Sequence, residues 1–379
     1  MEAGRPGPLA TGWPARIPAV AMYDGAVTEP AKPEVAATTA AARKSSRDGK
    51  PSATIYDIAK LAGVNPSTVS RALSKPGRVS AKTQKLIEDA AAELNYHVNP
   101  FARALPTGRT STLGLIVADI TNPTFFGIIR GAESTATARN YTLMLAESAE
   151  SAETELTAAR RMMATVDGLI LASPRMDDDR IRELAREKPV VVINREVDGV
   201  PCVVPEVNKG IGEAVRSLAA NGHSRIAYVA GPQRSWMSGR RWEGVQAACE
   251  WSRLEAVRLE SVKPTVDGGR QAARDVVASG ATAVITYNDL LAIGLMQELQ
   301  AAAVVVPDRI SIVGFDDIFG ADFTTPPLTT VRSPMTACGT EAATLLLNVL
   351  HGAEQVAAIV RVDTELVLRG SSGRLLPAN

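Results

Sequence analysis

From Thr112 onward the chain repeats one pattern: a short run of β-branched or aliphatic residues, a polar turn, then a helical stretch. The runs are TLGLIVADI, VDGLILAS, PVVVINR, RIAYVAG, TAVITYND and RISIVGFDD, and helical patterns such as FGIIRGAESTATARN and GGRQAARDVVASG lie between most of them. Hairpins join antiparallel strands through roughly two to five residues, whereas strands separated by a helix run parallel. The alternation therefore predicts parallel sheets with helices on both faces. In such sheets ligands bind beyond the carboxyl ends of the strands, and here those ends carry Asp119, Asn194, Asn288 and Asp316.

Ahead of this body lies TIYDIAKLAGVNPSTVSRAL, Thr54 to Leu73. Thr54 is a helix cap, and Ile55, Ile58, Ala59 and Ala62 share one face of the helix that follows. Gly63 suits a tight turn; Asn65 then caps a second helix with Pro66 at its first position, where the missing N–H costs nothing. Val69, Ala72 and Leu73 point inward, which leaves Ser67, Thr68, Ser70 and Arg71 on the other side. A third helix from about Ser80 is expected to bury Leu86, Ile87, Ala90 and Leu94. Two short helices broken by a glycine, with small polar residues opening the second, fit a helix-turn-helix that reads a major groove. They also fit a helical hairpin laid against the larger domain, and the pair alone does not separate the two.

Charge placement favours the first reading. Lys+Arg and Asp+Glu number 41 each overall, yet residues 52–110 hold eight basic against four acidic side chains, and the residues after 110 hold 26 against 32. A basic head on an acidic body points to a polyanionic partner for the head. The three cysteines, Cys202, Cys249 and Cys338, are scattered without metal-ligand spacing, which argues against a disulfide framework, and His97, His223 and His351 form no ligand pattern. No apolar run reaches the roughly 18–20 residues that span a bilayer. The opening MEAGRPGPLATGWPARIPAV is interrupted by Pro and Arg and makes a poor signal peptide, so a cytoplasmic location is expected, with no membrane partner. GGR and GPQRS lack phosphate-loop spacing and there is no nucleophile elbow, so neither an enzyme nor a bound cofactor or metal is expected. Residues 1–51, rich in Ala, Pro, Gly and Thr without a period, are expected to be disordered.

YDIAKLAGVNPSTVSRALS, followed by VSAKTQKLIEDAAAELNYHVNPFARAL, resembles the DNA-binding headpiece of the LacI/GalR family of bacterial transcription regulators. The body continues the resemblance in family order through GLIVADITNPTFFGIIRGAE, NGHSRIAYVAGP, SGRRWEG, YNDLLAIGLMQEL, VPDRISIVGFDD, PPLTTVRSP and ELVLRGSSG, over about residues 53 to 373. It implies an all-α helix-turn-helix headpiece joined to an α/β, periplasmic-binding-protein-like core of two doubly wound subdomains. The headpiece would span 52–98, a hinge helix and linker 99–110, and the core 111–379. Within the core the N-subdomain is expected over about 111–204 and 334–362, and the C-subdomain over about 205–333 and 363–379.

The resemblance further implies a homodimeric repressor of carbohydrate-use genes. It would bind a pseudo-palindromic operator in double-stranded DNA under the control of a small effector, a sugar or sugar phosphate. By motif position, Pro66, Ser67 and Arg71 fall where the family reads bases, and Thr54 and Asn65 where it touches phosphates. Asn99, Arg103, Ala104 and Leu105 fall in the hinge, with Leu105 the side chain that wedges into the minor groove; packing against the core is its other reading. Phe125, Asn194, Arg241, Asn288 and Asp316 fall at the effector site, although Asn288 and Asp316 also suit simple helix caps. Two departures stand out. Glu206-Val207 precedes Gly210 where many members have Asp-Asn, and Pro264 stands where sugar- or purine-binding members place an aromatic, which leaves the ligand open. A secreted solute-binding protein would share the core but lack the headpiece. The chain ends soon after ELVLRGSSG without a leucine-heptad tail, so a dimer is expected rather than a tetramer.

Overall fold

The computed structural model describes residues 53–74, 77–96, 109–260, 262–353 and 358–376. The expected extension over 1–51 and the hinge residues Asn99, Arg103, Ala104 and Leu105 lie outside the described residues. The chain divides into a small helical unit and a large unit that begins at Arg109.

The small unit contains α1 (Ile55–Ala62), α2 (Pro66–Ser74) and α3 (Ala81–Glu93). Asp57 holds the start of α1: the backbone N–H and the hydroxyl of Thr54 both donate to Asp57 Oδ2, at 2.8 and 2.7 Å. Gly63 ends α1 at φ 64°, the left-handed conformation that glycine enters without a Cβ penalty, and its N–H donates to the Ala59 carbonyl. Ser80 caps α3 by accepting from the Thr83 N–H. Ile58, Ala59, Val69, Ala72, Ile87 and Ala90 form the core, with Ile55, Ala62 and Leu73 packed against it. The third helix differs from expectation at Leu86, which is 47% exposed. Ile87, Ala90 and Leu94 follow an i, i+3, i+7 stripe, and Leu86 lies at its edge, beyond the reach of two partner helices of eight and nine residues.

The large unit contains two six-stranded sheets. The first has the order β11-β5-β4-β3-β1-β2, all parallel, built from β1 (Thr112–Val117), β2 (Thr142–Glu147), β3 (Gly168–Ala172), β4 (Val190–Ile193), β5 (Cys202–Glu206) and β11 (Ile359–Asp363). The second has the order β12-β10-β9-β8-β6-β7, from β6 (Arg225–Val229), β7 (Glu255–Leu259), β8 (Ala283–Thr286), β9 (Ser311–Asp316), β10 (Thr329–Arg332) and β12 (Glu365–Val367). Only the β10–β12 pair in it is antiparallel. Both sheets share one winding: the first strand lies inside the second, and the order reverses between the first and third, the switch point at which doubly wound sheets bind ligands.

Helices α4 (Thr124–Ala138), α5 (Ala152–Met163), α6 (Asp178–Glu187) and α11 (Met335–Leu350) accompany the first sheet. The second carries α7 (Val207–Ala220), α8 (Trp236–Trp251), α9 (Val266–Ala278) and α10 (Asp289–Ala301). The chain passes between the sheets after β5, after β10 and between β11 and β12. Thr364, fully buried at the last passage, donates its hydroxyl to the Glu206 carbonyl at 2.7 Å and accepts from the Gly210 N–H at 3.2 Å, which ties two passages together. Helices α9 and α10 meet through glycine: a Cβ at Gly269 would stand 2.1 Å from the Leu291 carbonyl oxygen. One hydrophobic cluster runs from Leu169 and Val192 under the first sheet to Tyr228 and Phe315 under the second, so the two halves share apolar packing. No described helix is long and apolar enough to cross a membrane.

Candidate functional site

Each wall of the central cleft is made by residues that follow the carboxyl end of a strand. Phe125, Glu150, Arg175 and Asn194 follow β1, β2, β3 and β4; Arg241, Pro264 and Tyr287 follow β6, β7 and β8, and Asp316 closes β9. Three of these positions and one neighbour have positive φ. Glu150 (φ 60°), Asn194 (φ 64°), Asp316 (φ 105°) and the neighbouring cleft residue Ser173 (φ 60°) adopt positive φ without being glycine. Such conformations are uncommon for side-chain-bearing residues and cluster where surrounding structure enforces them at functional sites. The bend turns the backbone sharply at the strand end and leaves the side chain on the cleft wall.

On the second wall, Arg241 is 3% exposed and donates from Nη2 to Asp316 Oδ1 at 2.7 Å and from Nη1 to the Tyr287 carbonyl. Its guanidinium carbon lies 3.7 Å from the Phe315 ring centroid and 5.0 Å from that of Tyr287. Cation, carboxylate and aromatic faces thus fix one geometry. Ser235 caps α8 by accepting from the Ser238 N–H and pairs with the Tyr287 hydroxyl, so the helix bearing Arg241 is tied to the strand end bearing Tyr287. Asp316 also accepts from the Ser333 hydroxyl at 3.4 Å, at the passage between β10 and α11.

On the first wall, Arg175 is 4% exposed, donating from Nε to Glu150 Oε2 at 2.5 Å and from Nη1 to the Ser173 carbonyl at 2.8 Å. The turn that presents it is held by Glu155, whose Oε2 accepts from the backbone N–H groups of Arg175 and Met176 at 2.7 and 3.0 Å. Burial pushes the Glu155 carboxyl up from the usual range, against the pull of those two amides. Asn194 donates from Nδ2 to the Ser173 hydroxyl at 2.9 Å. Three buried polar atoms on the lining have no partner: Thr124 Oγ1, Asn194 Oδ1 and Arg241 Nε. The cavity between the walls is about 20 Å³, room for one water-sized molecule.

Of the five expected effector residues, Phe125, Asn194, Arg241 and Asp316 line this cavity. Asn288 does not: its Oδ1 accepts from Leu291 N–H as the cap of α10, and its Nδ2 donates to the Pro264 carbonyl, behind the wall. Asp119 is likewise taken up locally, accepting from the Thr121 N–H and hydroxyl. Asp316, by contrast, caps no helix. Sequence reasoning missed Glu150, Ser173, Arg175 and Tyr287; Tyr287 and Ser173 stood at strand ends, but nothing local marked the other two.

In the helical unit, Ser67 and Arg71 are exposed and Pro66 is half-buried on α2. Asn65 is exposed, and its carbonyl accepts from the Thr68 N–H at 2.8 Å. Thr54 is exposed, but its one O–H is donated to Asp57. That hydroxyl, then the Thr54 N–H, holds the Asp57 carboxyl below its ordinary range. Tyr56 on α1 is 68% exposed, a large side chain that the helical pattern did not single out.

Residues 54–99 match the family described as bacterial regulatory proteins, lacI family, and residues 215–372 match the periplasmic binding protein-like domain. The chain is 32% identical over 333 residues to the HTH-type transcriptional repressor CytR of Escherichia coli (strain K12), covering 86% of this chain and 97% of that one. The chain belongs to the LacI family. As a member it is a DNA-binding transcription regulator with a periplasmic-binding-protein-like core. Among solved structures, this LacI-family chain is similar to the lac repressor dimer bound to operator and the anti-inducer ONPF, with a TM-score of 0.77 and 27% identity over 85% of this chain and 100% of that one. It is also similar to a LacI-family regulator from Enterococcus faecium with bound ribose, with a TM-score of 0.63 and 29% identity over 70% of this chain and all of the other.

Proposed function

We propose that this regulator is a homodimeric repressor of carbohydrate-use genes that binds a pseudo-palindromic operator and releases or tightens it when a sugar occupies the cleft. The observation that carries the reading is the convergence of Phe125, Asn194, Arg241 and Asp316 on one cavity at the strand ends of a chain that also holds a helix-turn-helix. An aromatic flanked by hydrogen-bonding groups of both kinds suits a ring-shaped polar solute. The cavity is too small for such a ring, so occupancy requires the two walls to part. A ligand shifts a conformational equilibrium only through unequal affinity for its states, and a cleft that must open supplies that inequality. The ribose-bound relative and the operator-bound lac repressor dimer support the same reading by likeness.

Two apolar surfaces support the dimer. Phe319 and Phe323, 77% and 68% exposed, meet edge to face with ring centroids 5.1 Å apart on the segment after β9. A cavity of about 280 Å³ lined by Met296, Val304, Val305 and Pro326 opens on the same subdomain. On the other subdomain the edge strand β2 exposes Met144 and Leu145, and Ile120 and Phe126 are also exposed. Edge strands and exposed aromatic pairs are the features that association covers.

In the DNA-bound form, Pro66, Ser67 and Arg71 would face base edges, with Asn65 and Thr54 beside phosphates; Thr54 would have to release Asp57 to donate there. Leu105 in the hinge would wedge the central step. Selection from random DNA with the full chain tests the reading. A two-fold site of about 14–20 base pairs is expected from two recognition helices one helical turn apart. Recovery of only asymmetric or sequence-independent DNA would reject it.

A further inference from the structure

The charged residues of the cleft lining are four, and they are paired within each wall. Glu150 holds Arg175 on the first, and Asp316 holds Arg241 on the second, so the lining carries two positive and two negative groups. Both guanidinium groups are almost wholly buried: the side chains of Arg175 and Arg241 are each 4% exposed. An anion placed here meets cations already neutralised by carboxylates and adds an uncompensated charge to a site with little water. Burying an unpaired charge is strongly unfavourable.

The unpartnered atoms point the same way. Arg241 Nε can only donate, Asn194 Oδ1 can only accept, and Thr124 Oγ1 can do either. A hydroxyl satisfies all three, because it donates and accepts at once. A phosphate dianion accepts only, and leaves Asn194 Oδ1 unsatisfied.

We propose that the Arg175–Glu150 pair, with Arg241–Asp316 opposite, makes the cleft charge-selective, so that it admits an uncharged hydroxylated solute and turns away its phosphorylated form. This rests on the reading of the cleft as the effector site and narrows the effector to neutral sugars or related polyols. Arg175 is the determinant on the first wall. Its charge is cancelled by Glu150, which is 27% exposed and therefore replaceable without opening the core.

The test is calorimetric titration of the full-length protein with inorganic phosphate, which needs no knowledge of the effector. The native chain should give no binding in the millimolar range. Glu150→Gln removes the carboxylate bonded to the Arg175 guanidinium and should gain phosphate binding by on the order of 10-fold or more, since one removed like charge beside the ligand shifts binding by at least about 1.4 kcal/mol. Glu150→Gln combined with Arg175→Gln should lose that gain, which separates the pair from a general change in net charge. Ribose and ribose 5-phosphate form a second arm, with the phosphate ester binding the native chain at least about 10-fold more weakly than the sugar. Phosphate or ribose 5-phosphate binding the native chain as tightly as ribose, or a Glu150→Gln variant with no gained phosphate binding, overturns the proposal. Operator affinity measured alongside keeps the two readings apart. If the expected charge preference appears but no bound solute changes operator affinity, selectivity stands and the regulatory role of the cleft falls.

Discussion

Arg71, on the second helix of the headpiece, is exposed and belongs to none of the ion pairs found among the described residues, whereas Arg175 and Arg241 in the core are almost wholly buried and each is bonded to a carboxylate. An exposed, unpaired guanidinium keeps its long-range attraction for a polyanion and can lie flat against a base edge. A buried, paired one presents donors in a fixed direction with little net field. The contrast teaches that one residue type meets two partners by different physics. On the proposed function, DNA would be met with charge and the effector with hydrogen-bond geometry.

The largest effect that tests this contrast is on stability. Asp316→Ala strands Arg241 in a buried site, and breaking a buried pair typically costs about 3–5 kcal/mol. Denaturant unfolding of the core should show a loss of that order, and a loss below about 1 kcal/mol would mean that the Tyr287 carbonyl and the Phe315 ring suffice to hold the cation. The exposed arginine should behave otherwise. Arg71→Ala should leave the melting temperature unchanged but weaken operator binding by about 1–3 kcal/mol and relax one position per half-site. Equal losses on operator and random DNA would reduce Arg71 to a phosphate contact.

A third change weakens the headpiece through a helix cap and leaves the exposed guanidinium of Arg71 in place. Thr54→Ala removes the hydroxyl that donates to Asp57, and helix caps contribute about 0.5–2 kcal/mol. The transition assigned to the headpiece by circular dichroism should shift, with the core transition unmoved.

The smallest effect belongs to His223, which is 2% exposed and bonded to Thr282, Ser311 and the Gly373 carbonyl where the second sheet meets the chain's last described residues. Burial pushes its pKa below the usual value of 6.5, with the Gly373 carbonyl acting the other way. A depressed histidine favours the neutral form in the fold. Its contribution is therefore complete above about pH 6.5 and is lost as pH falls from there through the folded value, at no more than about 1.4 kcal/mol per pH unit. His223→Gln should flatten that slope in unfolding experiments between pH 7 and 5; an unchanged slope would assign it to other groups.

What the sequence revealed follows from how local each signal is. The helix-turn-helix was legible because Thr54, Gly63, Asn65 and Pro66 each state a cap or a turn in place, and Leu86 was misplaced because its burial depends on how wide a stripe its neighbours cover. Six of the eight interior strands were visible as continuous apolar runs, while β5 and β10, which are only five and four residues long and contain Pro205 or Thr329-Thr330, were not. The edge strands β2, β7, β11 and β12 were missed, since half-exposed strands interleave polar residues and lose that continuity. In the cleft, motif order located Arg241 and Asp316. Arg175 and Glu150 stayed hidden because nothing in the surroundings ESAES or SPRM announces a left-handed bend, and the fold brings residues 25 apart into contact. Asn288, off the lining of the closed cavity, is the opposite case. Asn ahead of a helix is as good a cap as a ligand, and here it caps.

The measurement that tests the account most directly is operator affinity, by fluorescence anisotropy, of the full chain and of Asp316→Asn with and without a panel of neutral mono- and disaccharides. Asp316→Asn keeps the size of the side chain and one acceptor while removing the charge that orients Arg241. The account predicts that at least one neutral sugar changes the native protein's operator affinity by about 5–150-fold, the usual span of allosteric coupling, and that Asp316→Asn binds the operator normally but responds at least about 10-fold less. Operator affinity indifferent to every sugar of the panel, or a variant that responds as the native chain does, would contradict it.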